Sequence, residues 1–522
     1  MQKRFNDTGL CIPTKHFMVD ISHKMEKIMA LIENGDYFTM NRPRQFGKTT
    51  TYHFLYTFLL QQPEYVVIRL SFESMGQVMF SSEKSFVREF LGAIADILLI
   101  QNKQWSDWFL QKQQEIEALK SLGKTLSEFV FKEQKKVVLM IDEVDKFNNN
   151  DLFLQFLAML RDNYLSRDSG IIPFLQSVIL LGVHDIKNLK RKIRPEDAHS
   201  LNSPWNIATD FTVDMSFNAT EIQTMLKQYC EETDISMNIP EIAEKIYYYT
   251  SGYPYLVSKM CKVIDEIILS KADRKHWTME DIEESFRFLV NPAYTTTLFD
   301  DLAKNLNNNP DLYQLVSDIV INAEKRTFNI GNPVIAIAHT YGILVYENGS
   351  AVVHNRIFEK RVYDMMLSVQ ETKPLQPSFS YGQFESKNQL LLKEILLKFQ
   401  EFMQENYSSK DISFLEREGR LLFLSFLKPI LNGKGFDFKE PVVGDERRVD
   451  IVITYLNQKH ILELKIWRGE EYHEKGLQQL SDYLDLHQLK EGFLLIYDFR
   501  KTKEYKIEDI KFQDKDIFAV WV

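Results

Sequence analysis

Short runs of consecutive apolar residues alternate with longer segments of helical periodicity through the first 215 residues. The apolar runs predict four strands, at residues 37–40, 65–72, 137–141 and 177–183. Apolar side chains at helical spacing fill most of the sequence between them. Consecutive apolar residues suit strands that are buried on both faces, so the alternation predicts a parallel α/β sheet covered by helices.

The pattern changes after this region. Helical periodicity extends from Phe217 to about residue 290 and is interrupted at residues 250–256. Two short apolar runs then flank Asn348-Gly349, a dipeptide typical of two-residue hairpin turns, and a further helix is predicted after them. Helices that accompany a hairpin suggest a winged helix over residues 296–370.

Residues 371–386 are the clearest predicted linker, because they hold two prolines and several serines without any hydrophobic period. Beyond the linker, helical patterns at 388–405 and 413–431 precede three predicted strands. These strands lie at 436–443, 448–453 and 460–466. The chain is therefore expected to end in a separate small α/β domain, residues 387–522.

Residues 41–50, Asn-Arg-Pro-Arg-Gln-Phe-Gly-Lys-Thr-Thr, lie between the first predicted strand and a helical run. This order is typical of a phosphate-binding loop, in which backbone N–H groups and a helix N-terminus hold the anion. Lys48 would reach the β- and γ-phosphates of ATP, and the Thr49 hydroxyl would ligate Mg²⁺. The residues expected to contact the nucleotide are Arg44, Gln45, Phe46, Gly47, Lys48, Thr49 and Thr50.

The loop departs from the usual pattern at one position. Arg42 stands where the first glycine of G-x-x-x-x-G-K-[ST] is expected, and glycine is preferred there for its permissive backbone. The departure puts the geometry of the start of the loop in question and leaves the phosphate-contacting end intact. A surface turn ahead of a helix is the alternative interpretation.

The apolar run at 137–141 ends in Asp142 and Glu143. In a parallel sheet, ligands bind at the carboxyl ends of the strands. Asp142 is placed to hold Mg²⁺, and Glu143 is placed to polarise the attacking water. A core strand that runs into an acidic turn is the alternative, but the two motifs in this order make nucleotide binding the stronger hypothesis.

Three further residues are candidates for the same site. His184 follows the strand at 177–183 and could sense the γ-phosphate, although a polar cap on the strand end fits equally well. Pro254 belongs to the interruption at 250–256, which either folds over the nucleotide base or simply begins a helix. Arg161 could act on a phosphate in cis or in a neighbouring subunit, which would require a homo-oligomer, or could be an ordinary solvated arginine.

Length, net charge and cysteine content indicate where the protein acts more than which reaction it performs. A chain of 522 residues suggests roughly three or four domains. The net charge of −10 gives no overall basic field, so any nucleic-acid site must be local. Three widely spaced cysteines fit a reducing compartment. No apolar run approaches the ~20 residues that span a bilayer, and no signal-peptide pattern is evident, so we expect a cytoplasmic protein without membrane contact.

A second group of charged residues lies in the C-terminal domain. Because alternate residues of a strand face one side, Glu463 and Lys465 share a face with Ile461. The hairpin turn before them can bring Asp450 close. Two carboxylates and a lysine on an apolar sheet would be costly without a function or a cation, so Asp450 and Glu463 could hold Mg²⁺ while Lys465 orients the attacking water. An edge hairpin with solvated charge is the alternative.

This arrangement resembles the PD-(D/E)XK nuclease superfamily. Asp450 matches the aspartate of the motif, and Glu463-Leu464-Lys465 matches (D/E)-x-K, while Val449 stands in place of the proline. The resemblance implies a magnesium-dependent nuclease, although the superfamily also includes members that only bind.

Two weaker matches extend the resemblance to the neighbouring helices. Gln479 and Tyr483 resemble a Q-x-x-x-Y motif on the helix that follows, and Glu418, in preference to Glu416, fits the acidic residue of the first helix. The resemblance implies catalytic roles for Asp450, Glu463, Lys465 and Gln479. The implied metal ligands are Asp450, Glu463 and Glu418.

Nearly the whole chain resembles bacterial AAA-ATPase-like proteins that carry a C-terminal PD-(D/E)XK nuclease domain. Their phosphate loop reads R-x-R-x-F/Y-G-K-[ST], and residues 42–49 match this pattern, so Arg42 resembles the arginine found at the same position in that family. The resemblance implies a multidomain α/β protein, with a P-loop parallel-sheet ATPase, a helical lid, a winged helix and a small α/β nuclease-like domain. The expected domains are 1–215 (ATPase), 216–295 (lid), 296–370 (winged helix), 371–386 (linker) and 387–522 (nuclease-like).

The function implied by this architecture is the ATP-dependent gating of Mg²⁺-dependent nucleic-acid cleavage, with DNA favoured over RNA. A role in defence against foreign DNA fits the architecture, although no residue shows it. One alternative is a nucleotide-dependent switch or DNA-binding regulator whose nuclease-like domain is inactive. Another is an ATPase without any DNA role.

Overall fold

The computed structural model describes most of the chain in two compact units. The described residues are 3–144, 150–182, 205–272, 274–321, 324–371, 384–386, 389–406, 412–431, 435–438, 451–455, 458–500 and 505–522. The first unit comprises Met1–Leu298, Asn329–Val345 and His354–Ile357, and the second comprises Phe299–Phe328, Tyr346–Val353 and Phe358–Val522. Among the described residues, no helix is both long and apolar enough to cross a bilayer.

A parallel sheet of four strands forms the centre of the first unit, as the sequence predicts. The strands are β1 (Phe38–Asn41), β2 (Tyr65–Ser71), β3 (Lys136–Asp142) and β4 (Ser177–Gly182). Their spatial order is β1-β4-β3-β2, and each neighbouring pair is parallel. The carboxyl ends of β1 and β3 therefore lie at the same edge of the sheet, on either side of β4.

Seven helices accompany this sheet in the described residues. They are α1 (Ser22–Glu33), α2 (Lys48–Leu60), α3 (Phe72–Met75), α4 (Glu83–Gln101), α5 (Lys103–Glu115), α6 (Leu119–Glu133) and α7 (Asp151–Asp168). A 3₁₀ segment, Gln77–Ser81, separates α3 from α4. One apolar cluster joins the sheet to α4, α6 and α7 through phenylalanines and aliphatic side chains, and this burial supplies the main driving force for folding.

The helical stretch predicted after Phe217 is confirmed. It consists of α8 (Ala219–Glu232), α9 (Ile239–Thr250), α10 (Pro254–Val263), a π-helical segment (Ile264–Leu269), α11 (Ser270–Ala272) and α12 (Met279–Val290). Reciprocal hydrogen bonds between Asn218 and Glu221 cap the start of α8. Gly252 interrupts the pattern with φ of +71°, and its carbonyl accepts the backbone N–H of Phe217 at 2.8 Å.

The predicted hairpin is also present. Helices α13 (Thr297–Asn307) and α14 (Pro310–Val320) come before the small sheet that contains the hairpin. Helix α15 (Pro333–Thr340) lies between the first two strands of that sheet in the sequence, and α16 (Arg356–Glu371) follows the hairpin. The small sheet contains β5 (Arg326–Thr327), β6 (Leu344–Glu347) and β7 (Ser350–Val353) in the order β5-β7-β6. Asn348 and Gly349 both have positive φ, as a two-residue hairpin turn of type I′ requires.

The C-terminal part of the second unit is a mixed sheet between helices. Its strands are β10 (Gly435–Phe438), β11 (Ile451–Tyr455), β12 (Gln458–Ile466), β13 (Glu491–Tyr497), β14 (Ile507–Phe512) and β15 (Lys515–Trp521), in the order β10-β11-β12-β13-β15-β14. Its helices are α17 (Leu392–Asn406), α18 (Ile412–Leu431) and α19 (Glu470–Leu486), and a two-residue ladder of β8 (Glu385–Ser386) with β9 (Gln389–Leu390) precedes them. Most of the predicted linker lies outside the described residues.

Alternation along β12 divides its side chains between the two faces of this sheet. Ile461 packs with Leu477 and Leu480 of α19 in one apolar cluster, and Leu494 of β13 belongs to the same cluster. Tyr497, at the end of β13, donates its hydroxyl to the Gly419 carbonyl of α18 at 2.6 Å. Helix α19 therefore covers the sheet face that carries Ile461.

We predict that Gly252→Ala will strongly destabilise the protein. A Cβ at this position would lie 1.8 Å from the carbonyl oxygen of Phe217, so the backbone would have to move, at a cost above about 3 kcal/mol in the free energy of unfolding. Gly170→Ala is the matched control, because Gly170 has φ of +70° and nothing within 4 Å of the added Cβ. The control should lose only about 1–2 kcal/mol. Equal losses in chemical denaturation would contradict the prediction.

Candidate functional site

The predicted sequence of strand, loop and helix around Lys48 is present. The backbone N–H of Arg42 donates to the Gly182 carbonyl at 3.3 Å, and α2 begins directly after Gly47, which has φ of +78°. The ammonium of Lys48 donates to the carbonyls of Arg42 at 2.6 Å and Pro43 at 2.9 Å. The lysine therefore lies within the curve of its own loop, beside the N-terminus of a helix, where the N–H groups and the helix dipole favour an anion.

Arg42, the departure from the usual motif, fixes the start of the loop. Its guanidinium donates to the carbonyls of Asn41 at 2.8 Å and Val213 at 2.6 Å, and it lies over the Phe211 ring at 5.1 Å. Burial lowers the pKa of Arg42, and Asp214 partly opposes this effect. Arg42 does not need the left-handed conformation, because the positive φ angles of the loop fall at Gln45 and Gly47. An arginine can therefore replace the glycine without backbone strain.

Aromatic side chains hold the middle of the loop. The hydroxyl of Tyr253 donates to the Arg44 carbonyl at 2.6 Å, and the Phe46 ring packs against Tyr253 at 4.8 Å and His354 at 5.8 Å. The His354 ring lies 5.3 Å from Tyr253, and its Nδ1 is 3.0 Å from the Gly342 carbonyl. The sequence indicates the turn that contains Tyr253 but gives no signal for His354, because it does not show that the residue after the hairpin returns to this loop.

The remaining contacts of the loop come from distant parts of the chain. The Gln45 amide donates to the Thr297 hydroxyl at 2.7 Å. Pro254 is the first residue of α10, and a Cβ on Gly47 would lie 3.9 Å from the Cβ of Pro254. Thr50 accepts the backbone N–H of Cys11 through its hydroxyl at 3.3 Å. Pro254 thus lies against the loop, and its contact with a bound nucleotide stays a prediction.

The acidic strand ends where the sequence predicts. Asp142 is the last residue of β3 and pairs in register with Ser71 of β2. Its Oδ1 accepts the backbone N–H of Glu143 at 2.8 Å, and Glu143 has φ of +56°. A left-handed conformation is unfavourable for glutamate, and such strain is typically retained at functional sites. Both side chains are half-buried at the edge of the sheet that also carries the loop.

The roles of two other predicted residues of this site, His184 and Arg161, are not tested by the structure. His184 lies outside the described residues. Arg161 is half-buried on α7, and its Nε has no hydrogen-bond partner among the described residues. The structure therefore leaves the proposed roles of His184 and Arg161 as predictions.

In the C-terminal domain, Glu463 and Lys465 lie side by side on β12. The Nζ of Lys465 is 2.7 Å from Oε1 of Glu463, whose side chain is 2% exposed. The same Nζ donates to Oε1 of Gln479 on α19 at 3.1 Å. Tyr483, one turn further along α19, is buried in the apolar cluster of this face. Lys465 therefore contacts two other residues of the predicted motif, Glu463 and Gln479.

The predicted metal ligands of this domain are only partly described. Ile451 of β11 pairs with Leu462 of β12, and Asp450, the residue before Ile451, lies outside the described residues. Glu418 lies on α18, but its side chain also lies outside the described part. Within the described residues, no group of three or more His, Cys, Asp or Glu side chains could hold a metal ion.

The parallel sheet, the loop that holds Lys48 and the acidic strand end together define a P-loop ATPase. A family model described as an AAA-like domain matches residues 13–363. The chain therefore belongs to the family of AAA-like domain proteins. No curated protein sequence matches it.

Solved structures with a similar fold are distant. They include a Walker-type ATPase of Pyrococcus abyssi, with 12% identity, a TM-score of 0.45 and coverage of 66% of this chain and 96% of that chain. The Thermotoga maritima RuvB Holliday junction branch migration motor has 13% identity, a TM-score of 0.33 and coverage of 64% and 92%. The Aeropyrum pernix Orc1 protein in complex with DNA has 9% identity, a TM-score of 0.31 and coverage of 68% and 94%.

We predict that His354 makes stability depend on pH. Burial lowers the pKa of His354 from 6.5 to about 4, although the Gly342 carbonyl opposes the shift. Between these values the unfolded chain binds a proton that the folded chain does not, so the free energy of unfolding falls as the pH is lowered. The contribution amounts to roughly 3 kcal/mol.

In chemical denaturation between pH 7 and pH 4, the free energy of unfolding of His354→Gln should depend less steeply on pH than that of the parent. His276→Gln, which alters an exposed histidine, is the matched control and should keep the parental slope. An unchanged slope in His354→Gln would contradict the assignment.

Proposed function

We propose that the chain binds and hydrolyses ATP, and that its nucleotide state gates Mg²⁺-dependent cleavage of nucleic acid by the C-terminal domain. The observation that carries the proposal is the position of Lys48, whose ammonium lies 2.6 Å and 2.9 Å from two carbonyls of its own loop. An arriving triphosphate would replace these carbonyls as the partner of the ammonium.

The described residues fit a nucleotide with its magnesium ion. Left-handed residues at Gln45 and Gly47 curve the loop, a geometry in which backbone N–H groups form an anion-binding concavity. Thr49 and Asp142 offer a hydroxyl and a carboxylate, the oxygen ligands that Mg²⁺ prefers. Bound Mg²⁺ would neutralise the charge that develops on the phosphates. We assign the nucleotide contacts to Arg44, Gln45, Phe46, Gly47, Lys48, Thr49, Thr50, Asp142, His184 and Pro254.

Glu143 is the residue that we assign to hydrolysis. Its left-handed backbone turns the chain away from β3 directly after Asp142. A carboxylate that follows the metal-holding residue can orient the attacking water and accept its proton. Arg161, whose Nε lacks a partner among the described residues, is the candidate for added positive charge, in cis or in a neighbouring subunit.

We predict that Lys48→Ala and Glu143→Gln will separate binding from hydrolysis. Lys48→Ala should raise the Kd for ATP at least about tenfold, because it removes a charged partner of the phosphates. Glu143→Gln should bind ATP normally and hydrolyse it about 10²- to 10⁴-fold more slowly. Fluorescent-nucleotide titration and phosphate release measure the two effects. Lys124→Ala, an exposed lysine, is the control, and parental activity in both site variants would refute the proposal.

The nuclease half of the proposal rests on the face of β12 that meets α19. Lys465 contacts both Glu463 and Gln479 there. The antiparallel register pairs Ile451 with Leu462, and in the sequence Asp450 precedes Ile451 while Glu463 follows Leu462. We assign Asp450 and Glu463 as ligands of one Mg²⁺ ion, with Glu418 as a further ligand. The ion would activate water, and Lys465 would stabilise negative charge on the phosphate.

We predict that plasmid DNA is cut in the presence of Mg²⁺ and ATP, and that Asp450→Ala and Lys465→Ala each reduce cutting by about 10²-fold or more. Lys511→Ala, which alters a side chain that is 88% exposed, is the matched control and should cut like the parent. Lys48→Ala should also lose cutting if the nucleotide gates the nuclease. Equal residual cutting in all variants would identify a contaminant, and chelation of the metal should abolish any genuine activity.

A second candidate function follows from the ion pair itself. Lys465 already neutralises Glu463 at 2.7 Å, and such a pair needs no metal. The C-terminal domain would then bind DNA without cutting it, and the protein would be a nucleotide-dependent switch. Metal-independent DNA binding without cleavage, abolished at high salt, would favour this alternative.

The proposal includes the domain plan and setting that the sequence suggests. Residues 1–215 would form the ATPase, 216–295 a lid, 296–370 a winged helix, 371–386 a linker and 387–522 the nuclease-like domain. DNA is favoured over RNA as the partner, and defence against foreign DNA is the favoured role. The three free cysteines suit a reducing compartment such as the cytoplasm.

A further inference from the structure

The first residues of the chain form a compact loop on the helices that follow the parallel sheet. Backbone hydrogen bonds from Arg4 to the Lys15 carbonyl and from Phe17 to the Arg4 carbonyl, both 3.1 Å, close this N-terminal loop, residues 4–17. The Phe5 ring packs 4.9 Å from Tyr229 of α8 and 5.1 Å from Phe17. Most of the loop precedes residue 13, where the match to the AAA-like family begins.

A buried charge cluster ties the N-terminal loop to α10. The Asp7 carboxylate, 8% exposed, lies 2.6 Å from Nζ of both Lys259 and Lys262. Burial acts to raise the pKa of Asp7, but the two ammonium groups outweigh it and hold the pKa below its usual value. Glu266 lies 4.0 Å from Lys262, and Lys259 lies over the Tyr294 ring at 5.6 Å. One carboxylate therefore bridges two lysines that are one helical turn apart.

A neighbouring contact strengthens the same attachment. The Ser258 hydroxyl of α10 donates to the Asn6 carbonyl at 2.6 Å. The side-chain amide of Asn6 donates to the Thr8 carbonyl at 2.7 Å, so the residues around Asp7 have a fixed shape. The N-terminal loop therefore presents a preformed surface to one side of α10.

The far side of the N-terminal loop meets the helix that follows the phosphate loop. The Cys11 N–H donates to the Thr50 hydroxyl at 3.3 Å, in the first turn of α2. The first residue of α10, Pro254, lies against Gly47, the residue that precedes that turn. The contacts form a closed ring that runs from Gly47 through α10, Asp7 and Cys11 back to Thr50.

We propose that the N-terminal loop is a strap that closes the nucleotide site by tying α10 to α2, that Asp7 is its latch, and that nucleotide release requires the strap to open. The inference rests on the proposed nucleotide function. Under the closed strap the side chains of Lys259 and Lys262 are 14% and 25% exposed, and lifting the strap would remove their shared partner, Asp7. Like charges one turn apart repel, so a partly open strap is unfavourable and the element has two states.

Asp7→Asn tests the latch, because asparagine keeps the shape of the side chain and removes its charge. Stopped-flow dissociation of a fluorescent ATP analogue from the full chain should become about 5- to 150-fold faster, the usual range of coupling between two sites. Lys3→Gln is the matched control, since Lys3 joins the same segment to Glu232 of α8 at 2.5 Å and not to α10. The control should keep the parental rate.

A double variant guards against a nonspecific effect of Asp7→Asn. Lys259→Gln with Lys262→Gln should speed release as Asp7→Asn does, and combining all three changes should add nothing further, because they break one interaction. Additive effects would overturn the latch.

Hydrogen exchange measured without nucleotide tests whether the strap opens, independently of nucleotide release. The Cys11 amide should exchange faster in Asp7→Asn than in the parent or in Lys3→Gln, because its bond to Thr50 opens with the strap. Faster exchange with unchanged release overturns the gating role, and unchanged exchange overturns the latch. If the parent binds no nucleotide, the proposed function and the role of the strap are both contradicted. If the parent binds nucleotide normally but Asp7→Asn changes neither release nor hydrogen exchange, only the strap is contradicted.

Discussion

The ammonium of Lys48, held by two carbonyls of its own loop, is the interaction on which the first unit depends. A half-buried cation is stable when it is hydrogen-bonded or paired, so the loop has to keep a curved shape when no anion is present. Its residues alone do not supply this shape. Arg42 is tied to Val213, Gln45 to Thr297 and the Arg44 carbonyl to Tyr253, so that distant segments fix the curve.

The same constraint explains which parts of the site the sequence could reveal. The strands were predictable, and so were the positions of Lys48 at the start of a helix and of Asp142 and Glu143 at a strand end. The two carboxylates directly follow a buried apolar run in the sequence, and Lys48 lies between such a run and a helical pattern. The positive φ of Glu143 was not predictable from the sequence. The role of Arg42 was not predictable either, because it depends on where Gly182 and Val213 lie in space. His354 was not predictable for the same kind of reason, because its ring partners Phe46 and Tyr253 lie 308 and 101 positions earlier in the sequence.

The C-terminal domain shows a similar division. Alternation along a strand was enough to place Glu463 and Lys465 on one face, and the contact of Lys465 with Gln479 follows the predicted order of strand and helix. The sequence could not indicate that Lys465 would lie so close to Glu463, because side-chain conformation depends on the packing of α19. The short distance is compatible with two roles for Lys465. Its ammonium can neutralise Glu463 in the resting protein, and it can stabilise negative charge on a phosphate during a reaction.

The path of the chain through the two units restricts how this protein can be divided or recombined. Gly342 and His354 belong to the first unit although residues 299–328, which precede them, belong to the second. Gly342 lies so close to Pro43 that an added Cβ would be 2.5 Å from the Pro43 Cγ, and His354 packs against Phe46. A fragment that stops at Leu298 would leave Pro43 and Phe46 without these neighbours, with apolar surface facing water. Exchange of the C-terminal module between related proteins would therefore succeed only at a junction beyond α16. Evolution by domain shuffling would meet the same restriction.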